Sequence, residues 1–395
     1  MRIVFLASHP LDSVRGWSGI PYFSFRQCIK RFDECIAVET RILDRLFHAI
    51  RPIFMRLGID IFYEDWIAKL YAAVLGPRID RIDPDAVISI ASSQKIGWLR
   101  TRAPIIHVSD ATFRALAGYY PGRFSKLAKR SLTMGDLLER NVLDNCAVAA
   151  LASGWAANSA ISDYGVSSDK VCVLPIGANL DGVPHFSDDT GGIERKIILL
   201  FVGVAWERKG GPLAFRVLSE LLRRGVAAEL HVVGCEPPTM VRRSLAVRCH
   251  GFLDKSDPVQ LTQFERLYKT ASFLIGASQQ EAYGVMFAEA SAYGLPALAT
   301  NTGGIPTVVE DGVNGFLFDP DESETSYVDK ILALRAAPET YKQLRISSRN
   351  RFVKELSWDA WGRRMEKIIA AALAARNRPR RDEPSTDRPA ITVPI

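Results

Sequence analysis

Two glutamates eight residues apart form the most informative pattern in this sequence. Glu281 and Glu289 lie just after the apolar run from Phe273 to Ala277. Such a run is typical of a buried strand, so Glu281 is expected in the loop after it and Glu289 in the helix that follows. A carboxylate at Glu289 can accept hydrogen bonds from two vicinal hydroxyls, as in a ribose. If the two residues are considered alone, the alternative is that Glu281 is an ordinary acidic residue of a loop and Glu289 an ordinary acidic residue on a helix surface.

The start of that helix is the second chemical feature. Gly284, Val285 and Met286 are predicted to form its first turn, where the amide groups have no partner within the helix and carry partial positive charge. The sequence therefore predicts a phosphate-binding helix start beside Glu281.

A basic loop follows another apolar run, Ile197 to Val204. Arg208 and Lys209 precede Gly210 and Gly211, and guanidinium and ammonium groups in such a loop can hold a diphosphate. The alternative is a solvated turn. The position of this loop directly after a predicted buried strand favours a functional role.

The elements that must position these residues are short apolar strands separated by helical segments. The first set of predicted strands is 3–7, 86–90, 105–108, 148–151 and 171–174, and the second is 197–204, 229–233, 273–277, 297–300 and 315–318. Runs of this kind predict parallel strands covered on both faces. We therefore expect an α/β protein with two doubly wound, Rossmann-like domains.

The polar, turn-rich residues 181–192 have the composition of a linker between the two domains. We predict an N-terminal Rossmann-like domain over 1–185 and a C-terminal Rossmann-like domain over 186–355. A closing helix is expected over 356–375, with Ser357 as its N-cap. Residues 376–395, rich in proline and charge, predict a disordered tail.

Composition excludes several classes of protein. With 395 residues, 48% hydrophobic and 24% charged, the chain has ordinary globular values and room for about two domains. A net charge of +6 is too small to indicate a nucleic-acid partner. The six cysteines show no metal or disulfide spacing and are expected to be reduced. No apolar run is long enough to predict a membrane helix.

Taken in order along the chain, these motifs resemble one family. Glu281 and Glu289 match the E-x7-E signature of retaining glycosyltransferases of the GT4 family, which have the GT-B fold, and Arg208-Lys209-Gly210 matches their donor-phosphate loop. The resemblance spans nearly the whole chain. Further matches lie at residues 17–21, 110–113, 153–157, 173–179, 302–306 and 311–315.

The resemblance implies a nucleotide-sugar donor held mainly by the second domain, an acceptor held by the first, and chemistry in the cleft between them. Glu281 would bind hydroxyls of the donor sugar, Glu289 the ribose, and Arg208 with Lys209 the diphosphate. The anomeric configuration would be retained. No metal or other cofactor is expected, because the two cations and the helix start would stabilise the departing diphosphate. In such enzymes a leaving phosphate oxygen is thought to take the acceptor proton. The final helix would return to the first domain.

Three residues of the first domain complete the predicted site. Gly16 and Gly19, in the turn after the first strand, would let the backbone approach the donor phosphate or the acceptor closely; the alternative is an ordinary turn. His107, at the end of a strand with Asp110 nearby, is predicted to point to the cleft rim and contact donor or acceptor. A hydrogen-bonded core histidine is the alternative.

Two further segments have weaker signals. Residues 302–306, with Gly303 and Gly304, form a glycine loop that would face nucleotide or sugar, or else a simple turn. Basic and aromatic residues alternate between 113 and 130. They predict a peripheral membrane contact of the N-terminal domain that suits a lipid-linked acceptor, or a solvated helix face. They are Arg114, Tyr119, Tyr120, Arg123, Phe124, Lys126, Lys129 and Arg130.

Two departures from the family pattern stand out. Val204 occupies the place where many members have an arginine, so Arg208 would substitute for it or donor affinity would fall. The family's Ser-Glu-Trp is Ser153-Gly154-Trp155 here, which is expected to affect a helix start more than the chemistry.

The function expected from the sequence is a cytoplasmic, retaining, metal-independent transferase of a hexosyl unit from a nucleotide sugar to a glycan or glycolipid acceptor. A sugar phosphorylase or synthase of similar architecture is one alternative. The other is a catalytically weak glycan-binding or scaffold subunit, since a fold does not guarantee activity.

Overall fold

The computed structural model describes residues 1–14, 16–187 and 193–377. Nearly all of the predicted tail, residues 378–395, and residues 188–192 of the predicted linker lie outside the described residues, as does Arg15.

The first domain contains a parallel six-stranded sheet in the order β2-β1-β3-β4-β5-β6. Its strands are β1 Arg2–Ala7, β2 Glu34–Ala37, β3 Ala86–Ile90, β4 Ile105–Ser109, β5 Val148–Leu151 and β6 Val171–Val173. Its helices are α1 Ile20–Arg31, α2 Arg41–Met55, α3 Asp65–Ile82, α4 Ser93–Ile96, α5 Phe113–Tyr119, α6 Pro121–Phe124, α7 Lys129–Asn145 and α8 Gly154–Ser162. The strand order reverses between β1 and β3.

The second domain repeats this architecture with the order β12-β11-β10-β7-β8-β9. Its strands are β7 Ile197–Val202, β8 Ala228–Val233, β9 Val247–Gly251, β10 Phe273–Gly276, β11 Ala297–Thr300 and β12 Gly315–Phe318. Its helices are α9 Gly211–Arg223, α10 Thr239–Arg242, α11 Pro258–Thr270, α12 Val285–Ala292, α13 Ile305–Val308, α14 Glu324–Arg335 and α15 Pro338–Arg351. Here the order reverses between β7 and β10, which is where ligands bind in doubly wound sheets.

The prediction of two doubly wound domains is confirmed. All five residues of β3 and all four of β10 are buried, because helices cover both faces of each sheet. Two strands were missed, β2 and β9. Each is an edge strand that carries polar or exposed residues, such as Glu34 and Arg248, so neither forms an apolar run.

The last helix of the described residues returns to the first domain. A π-helical turn, Phe352–Leu356, leads into α16, Trp358–Asn377. The Ala360 amide donates to Ser357 Oγ at 3.1 Å, as expected of an N-cap. The Trp358 ring stacks on Phe23 of α1 at 6.2 Å, and Arg31 Nη1 donates to Glu366 at 2.8 Å. The helix α16 therefore packs on α1.

Candidate functional site

A cavity of about 800 Å³ lies between the carboxyl ends of the two sheets. Both domains contribute to its wall, and Trp17, Asp110 and Asn179 of the first face Lys209 and Glu281 of the second. Among the described residues, the cations that line it are Lys209 and Lys255. The carboxylates that line it are Asp110, Asp181, Asp254, Glu281 and Glu289.

The loop after β7 presents Lys209 to the cavity. A Cβ on Gly210, which has φ of 79°, would come within 1.9 Å of the Ala277 carbonyl oxygen, so only glycine allows the two loops to approach this closely. A Cβ on Gly203 would lie 2.9 Å from Lys209 Cγ. The glycines therefore let the lysine stem pass between the ends of β7 and β10.

Glu281 meets Lys209 across this edge. The Lys209 Nζ donates to Glu281 Oε2 in an ion pair between two largely buried side chains. The backbone of Glu281 is also held: its amide donates to Tyr119 Oη at 3.1 Å, and its carbonyl accepts from the Gly304 amide at 3.0 Å. The predicted juxtaposition of Glu281 and Lys209 is thus present, and Tyr119 reaches it from the first domain.

The helix α12 starts where the sequence predicts. Gly284 is its N-cap, with φ of 91° and no side chain to cap the helix. Gly284, Val285 and Met286 all line the cavity. The uncapped first-turn amides of a helix attract an anion such as phosphate.

Glu289 lies further along α12 with a buried side chain. Its carboxylate is ion-paired with Lys255 and accepts from Tyr268 Oη at 3.3 Å. Burial, followed by the charge of Glu289, raises the pKa of Tyr268 well above its ordinary value, so the phenol stays a donor. Lys255 was not predicted from the sequence, because this residue follows the unpredicted strand β9.

Arg208 does not line the cavity. Its Nη1 donates to the Gln280 carbonyl at 2.8 Å, and its guanidinium lies 5.7 Å from the centroid of the Tyr120 ring. Its predicted contact with a diphosphate has no support from this placement. Val204, at the position of the family's arginine, is exposed and lines the cavity.

His107 was expected at the cleft rim, and that prediction is wrong. It lies within β4 between Ser89 and Ala149 in register, is fully buried, and does not line the cavity. Neither ring nitrogen has a hydrogen-bond partner among the described residues. Burial lowers the pKa of His107 to about 4, so the imidazole is a neutral core group.

Asp110, just beyond β4, lies where His107 was expected. Its Oδ2 accepts from Trp17 Nε1 at 3.3 Å, and both residues line the cavity. The strand keeps its alternating side chains inside the fold, and the first residue after it can turn toward the cleft.

Gly16 and Gly19 shape the turn after β1 but do not line the cavity, so their predicted direct contact with the donor is not supported. A Cβ on Gly16 would lie 2.8 Å from His9 Cβ, and Gly19 has φ of 84°. Between them Trp17 and Ser18 also have positive φ, 43° and 55°. These glycines therefore hold Trp17 and Ser18 against the cavity.

The loop 302–306 links the domains. Tyr119 Oη and Thr302 Oγ1 are 2.6 Å apart, and a Cβ on Gly303 would come within 2.3 Å of the Glu281 carbonyl oxygen. At the departure Ser153-Gly154-Trp155, Ser153 caps α8 and the Gly154 amide donates to Thr307 Oγ1 at 3.0 Å. Both loops contribute to domain contact rather than to the cavity wall.

Part of the chain is similar in sequence to known glycosyltransferases. Residues 185–351 match the family model described as glycosyl transferases group 1. The D-inositol 3-phosphate glycosyltransferase of Corynebacterium diphtheriae is 24% identical over 302 residues, 71% of this chain and 69% of that protein. The enzyme of the same name from Corynebacterium jeikeium is 27% identical over 58% of this chain and 58% of its own length.

Among solved structures, Anabaena HepE in complex with UDP is similar with a TM-score of 0.63 and 14% identity. The match covers 94% of this chain and 100% of that chain. The same Anabaena protein is also known in complex with UDP-glucose. At this identity the likeness shows the fold, and the two facing domains with a returning helix are the GT-B fold.

Proposed function

We propose that this chain, whose residues 185–351 match the glycosyl transferases group 1, is a glycosyltransferase of that group and transfers a hexosyl unit from a nucleotide sugar to a glycan or lipid-linked acceptor. We further propose that the anomeric configuration is retained and that no metal is required. The observation that carries this proposal is the meeting of Lys209, Glu281 and the start of α12 at one point of the cavity.

The donor would bind along the second domain. Its diphosphate would lie between Lys209 and the amides of Val285 and Met286, its sugar hydroxyls would bond to Glu281, and its ribose to Glu289. In the free protein each glutamate is paired with a lysine, Glu281 with Lys209 and Glu289 with Lys255. The donor would therefore replace or share two existing ion pairs. The Anabaena protein of the same fold forms a complex with UDP, which supports a nucleotide as part of the donor.

The reaction breaks the bond between the anomeric carbon and the diphosphate and forms one from that carbon to an acceptor oxygen. The acceptor proton passes to an oxygen of the leaving phosphate. Negative charge builds on the diphosphate as it departs, and Lys209 with the α12 start would stabilise it. Positive groups already fixed at the leaving group give the physical basis for metal-independent transfer.

The acceptor would enter from the first domain. Trp17 and Asp110 face Glu281 across the cavity. The indole offers an apolar surface for a sugar ring, and the carboxylate, already bonded to the indole N–H, can accept a hydrogen bond from an acceptor hydroxyl. We propose a cytoplasmic location for the reaction, since all six cysteines are unpaired.

The test is turnover in EDTA. Purified protein would be incubated with UDP, GDP and ADP hexoses and a panel of glycan and lipid-linked acceptors, and the product linkage read from its proton coupling constants. Transfer with the donor's anomeric configuration supports the proposal. An inverted product contradicts retention, and activity only with added Mn²⁺ or Mg²⁺ contradicts metal independence.

A second candidate is a catalytically weak glycan-binding subunit of the same fold, favoured by the apolar Val204 in the cavity. This candidate predicts glycan binding without turnover of any nucleotide sugar. Turnover by Val204→Arg discriminates the two, because an enzyme that lacks only one phosphate contact should transfer faster once the cation is restored, whereas a binding subunit should still show no turnover.

A further inference from the structure

The helix α2 carries an exposed apolar stripe that nothing in the glycosyltransferase site uses. Ile42, Leu46, Ile53 and Leu57 are between 52% and 83% exposed. Their spacing, with Ala49 between them, places them on one face of the helix and its C-terminal continuation. The opposite face contributes Phe47 to the core of the first domain. The helix is therefore apolar on the side that faces away from the protein.

Basic side chains flank this stripe. Arg41, Arg45 and Arg56 are exposed along one edge of it. The acidic residue of α2, Asp44, turns inward, where Lys95 Nζ lies 3.1 Å and Tyr71 Oη 2.6 Å from its carboxylate oxygens. The exposed surface of the helix thus combines apolar side chains with positive charge.

The C-terminal end of α2 brings in two more cations from another segment. The Gly58 carbonyl accepts from the Ala128 amide at 2.7 Å, which places the exposed residues Lys126 and Lys129 beside the end of the stripe. Phe47, the buried residue of α2, packs edge-on against the half-exposed Trp66 of α3, with ring centroids 6.1 Å apart.

The predicted basic and aromatic surface over 113–130 does not exist as one patch. Arg114 pairs with Asp136 at 2.6 Å and Arg130 with Glu64 at 2.9 Å. Phe124 is buried and Tyr119 reaches the loop of Glu281, while the side chain of Arg123 is outside the described part of the chain. Lys126 and Lys129 are the residues of that segment that join the α2 surface.

We propose that α2 docks the first domain onto an anionic lipid surface, with Ile42, Leu46, Ile53 and Leu57 in the headgroup region and the arginines and lysines on lipid phosphates. An apolar stripe bordered by arginine is the pattern of an interfacial helix, and its charge complements an anionic bilayer. Among the described residues no helix has both the length and the apolar character needed to span a bilayer. Docking through this stripe is a peripheral mode of attachment and does not depend on the proposed transfer reaction.

This orientation has a consequence for an acceptor in the membrane. A second cavity of about 450 Å³ lies at the carboxyl end of β1 and is lined by His9, Lys95 and, from α2 itself, Arg45 and His48. Its wall also includes Phe5 of β1 and Val38, which follows β2. Docking through α2 would bring this cavity close to the lipid headgroups.

The test is cosedimentation of the full chain with vesicles of phosphatidylcholine alone and of phosphatidylcholine with phosphatidylglycerol. We expect binding to the anionic vesicles and little to the neutral ones. Ile53→Ser with Leu57→Ser should weaken the anionic binding at least about tenfold. Arg56→Gln with Lys129→Gln should weaken it by a similar factor, roughly, and make it less sensitive to salt.

The matched control is Met240→Ser with Leu245→Ser, two exposed apolar residues of the second domain, which should bind vesicles like the unaltered chain. All variants are at exposed positions, and an unchanged melting temperature would verify their folding. Equal binding to both vesicle types, or no effect of the α2 substitutions, would overturn the proposal. So would a dimer in analytical ultracentrifugation that the Ile53→Ser, Leu57→Ser variant abolishes, since the stripe would then cover a second copy. Vesicle binding is measured without donor or acceptor, so its outcome is separate from that of the transfer assay.

Discussion

Lys209 and Glu281 form an ion pair that joins the loops after β7 and β10, the two strands between which the order of the second sheet reverses. Both side chains are largely shielded from solvent, so the pair holds the two loops in fixed positions. In the proposed complex, a nucleotide-sugar donor would bring hydroxyls for the carboxylate and phosphate oxygens for the ammonium. The ion pair would then keep both groups in place until the donor binds.

Glu289 is predicted to recognise the ribose hydroxyls. Glu289→Gln should weaken UDP binding about tenfold, because a charge-assisted hydrogen bond becomes a neutral one. Binding of 2′-deoxy-UDP, which lacks one of the hydroxyls, should change much less, and titration calorimetry with both ligands gives the comparison. The control is Glu265→Gln, at a half-buried position outside the cavity lining. Equal loss for both nucleotides would indicate that Glu289 acts only through its pairing with Lys255.

Tyr119 is predicted to position Glu281 from the first domain. Tyr119→Phe removes the acceptor of the Glu281 amide and the partner of Thr302 Oγ1. Because the ring still fills its place beside Trp155 at 5.0 Å, the melting temperature should change little. The kcat should fall about tenfold with a smaller change in the KM for donor. Tyr22→Phe, which removes a surface contact with Arg26, should leave both parameters unchanged.

Glu139 is predicted to make the fold less stable as pH rises. Burial raises the pKa of its carboxyl to about 7 from an ordinary 4.5. The unfolded chain thus loses its proton near pH 4.5, while the folded chain keeps it until near pH 7. The stability contributed by this group is full below pH 4.5 and is lost as pH rises through 7.

Glu139→Gln, which stays neutral, should therefore be more stable than the unaltered chain at pH 8 by about 3 kcal/mol and nearly equal to it at pH 4.5. Urea unfolding at the two pH values measures this difference. The control variant Glu265→Gln, at a half-buried position, should show no such trend. A Glu139→Gln variant that is no more stable at pH 8 would mean that the carboxylate finds a partner when ionised.

His107 is predicted to have the opposite pH dependence and no part in catalysis. Its folded pKa of about 4 lies below the ordinary 6.5, so below pH 6.5 the unfolded chain takes up a proton that the folded chain does not. Stability is then lost as pH falls from 6.5 to 4. His107→Leu should reduce this acid loss, as seen in urea unfolding at pH 7 and pH 5, and keep near-normal kcat. A loss of transfer of 100-fold or more in a folded variant would restore His107 to the site.

Much of the fold followed from the sequence because parallel strands covered on both faces are apolar throughout. The runs at Ala86 and Phe273 could not be exposed, and residues after such strands must gather at one edge. The sequence therefore predicted that Glu281, Lys209 and Gly284 lie close together. The strand β9, and Lys255 after it, were not predicted, because an edge strand with the exposed Arg248 has no continuous apolar run.

The direction in which a side chain points is the second feature that the sequence did not predict. His107 and Asp110 are three residues apart, and sequence pattern alone does not tell where the strand ends and which side chain turns out of the sheet. Arg208 and Lys209 are adjacent, and the close approach at Gly210 decides that Lys209 faces the cavity. Such choices depend on packing between distant segments, which a local pattern does not contain.

We propose that a nucleotide sugar binds at Lys209 without a metal. The measurement that tests it most directly is the melting temperature with UDP, GDP and ADP in EDTA, for the unaltered chain, for Lys209→Met and for the surface variant Lys269→Met. One nucleotide should raise the melting temperature by a few degrees or more in the unaltered chain and in Lys269→Met, but not in Lys209→Met. A shift that requires a divalent cation, or one that persists in Lys209→Met, would contradict the claim.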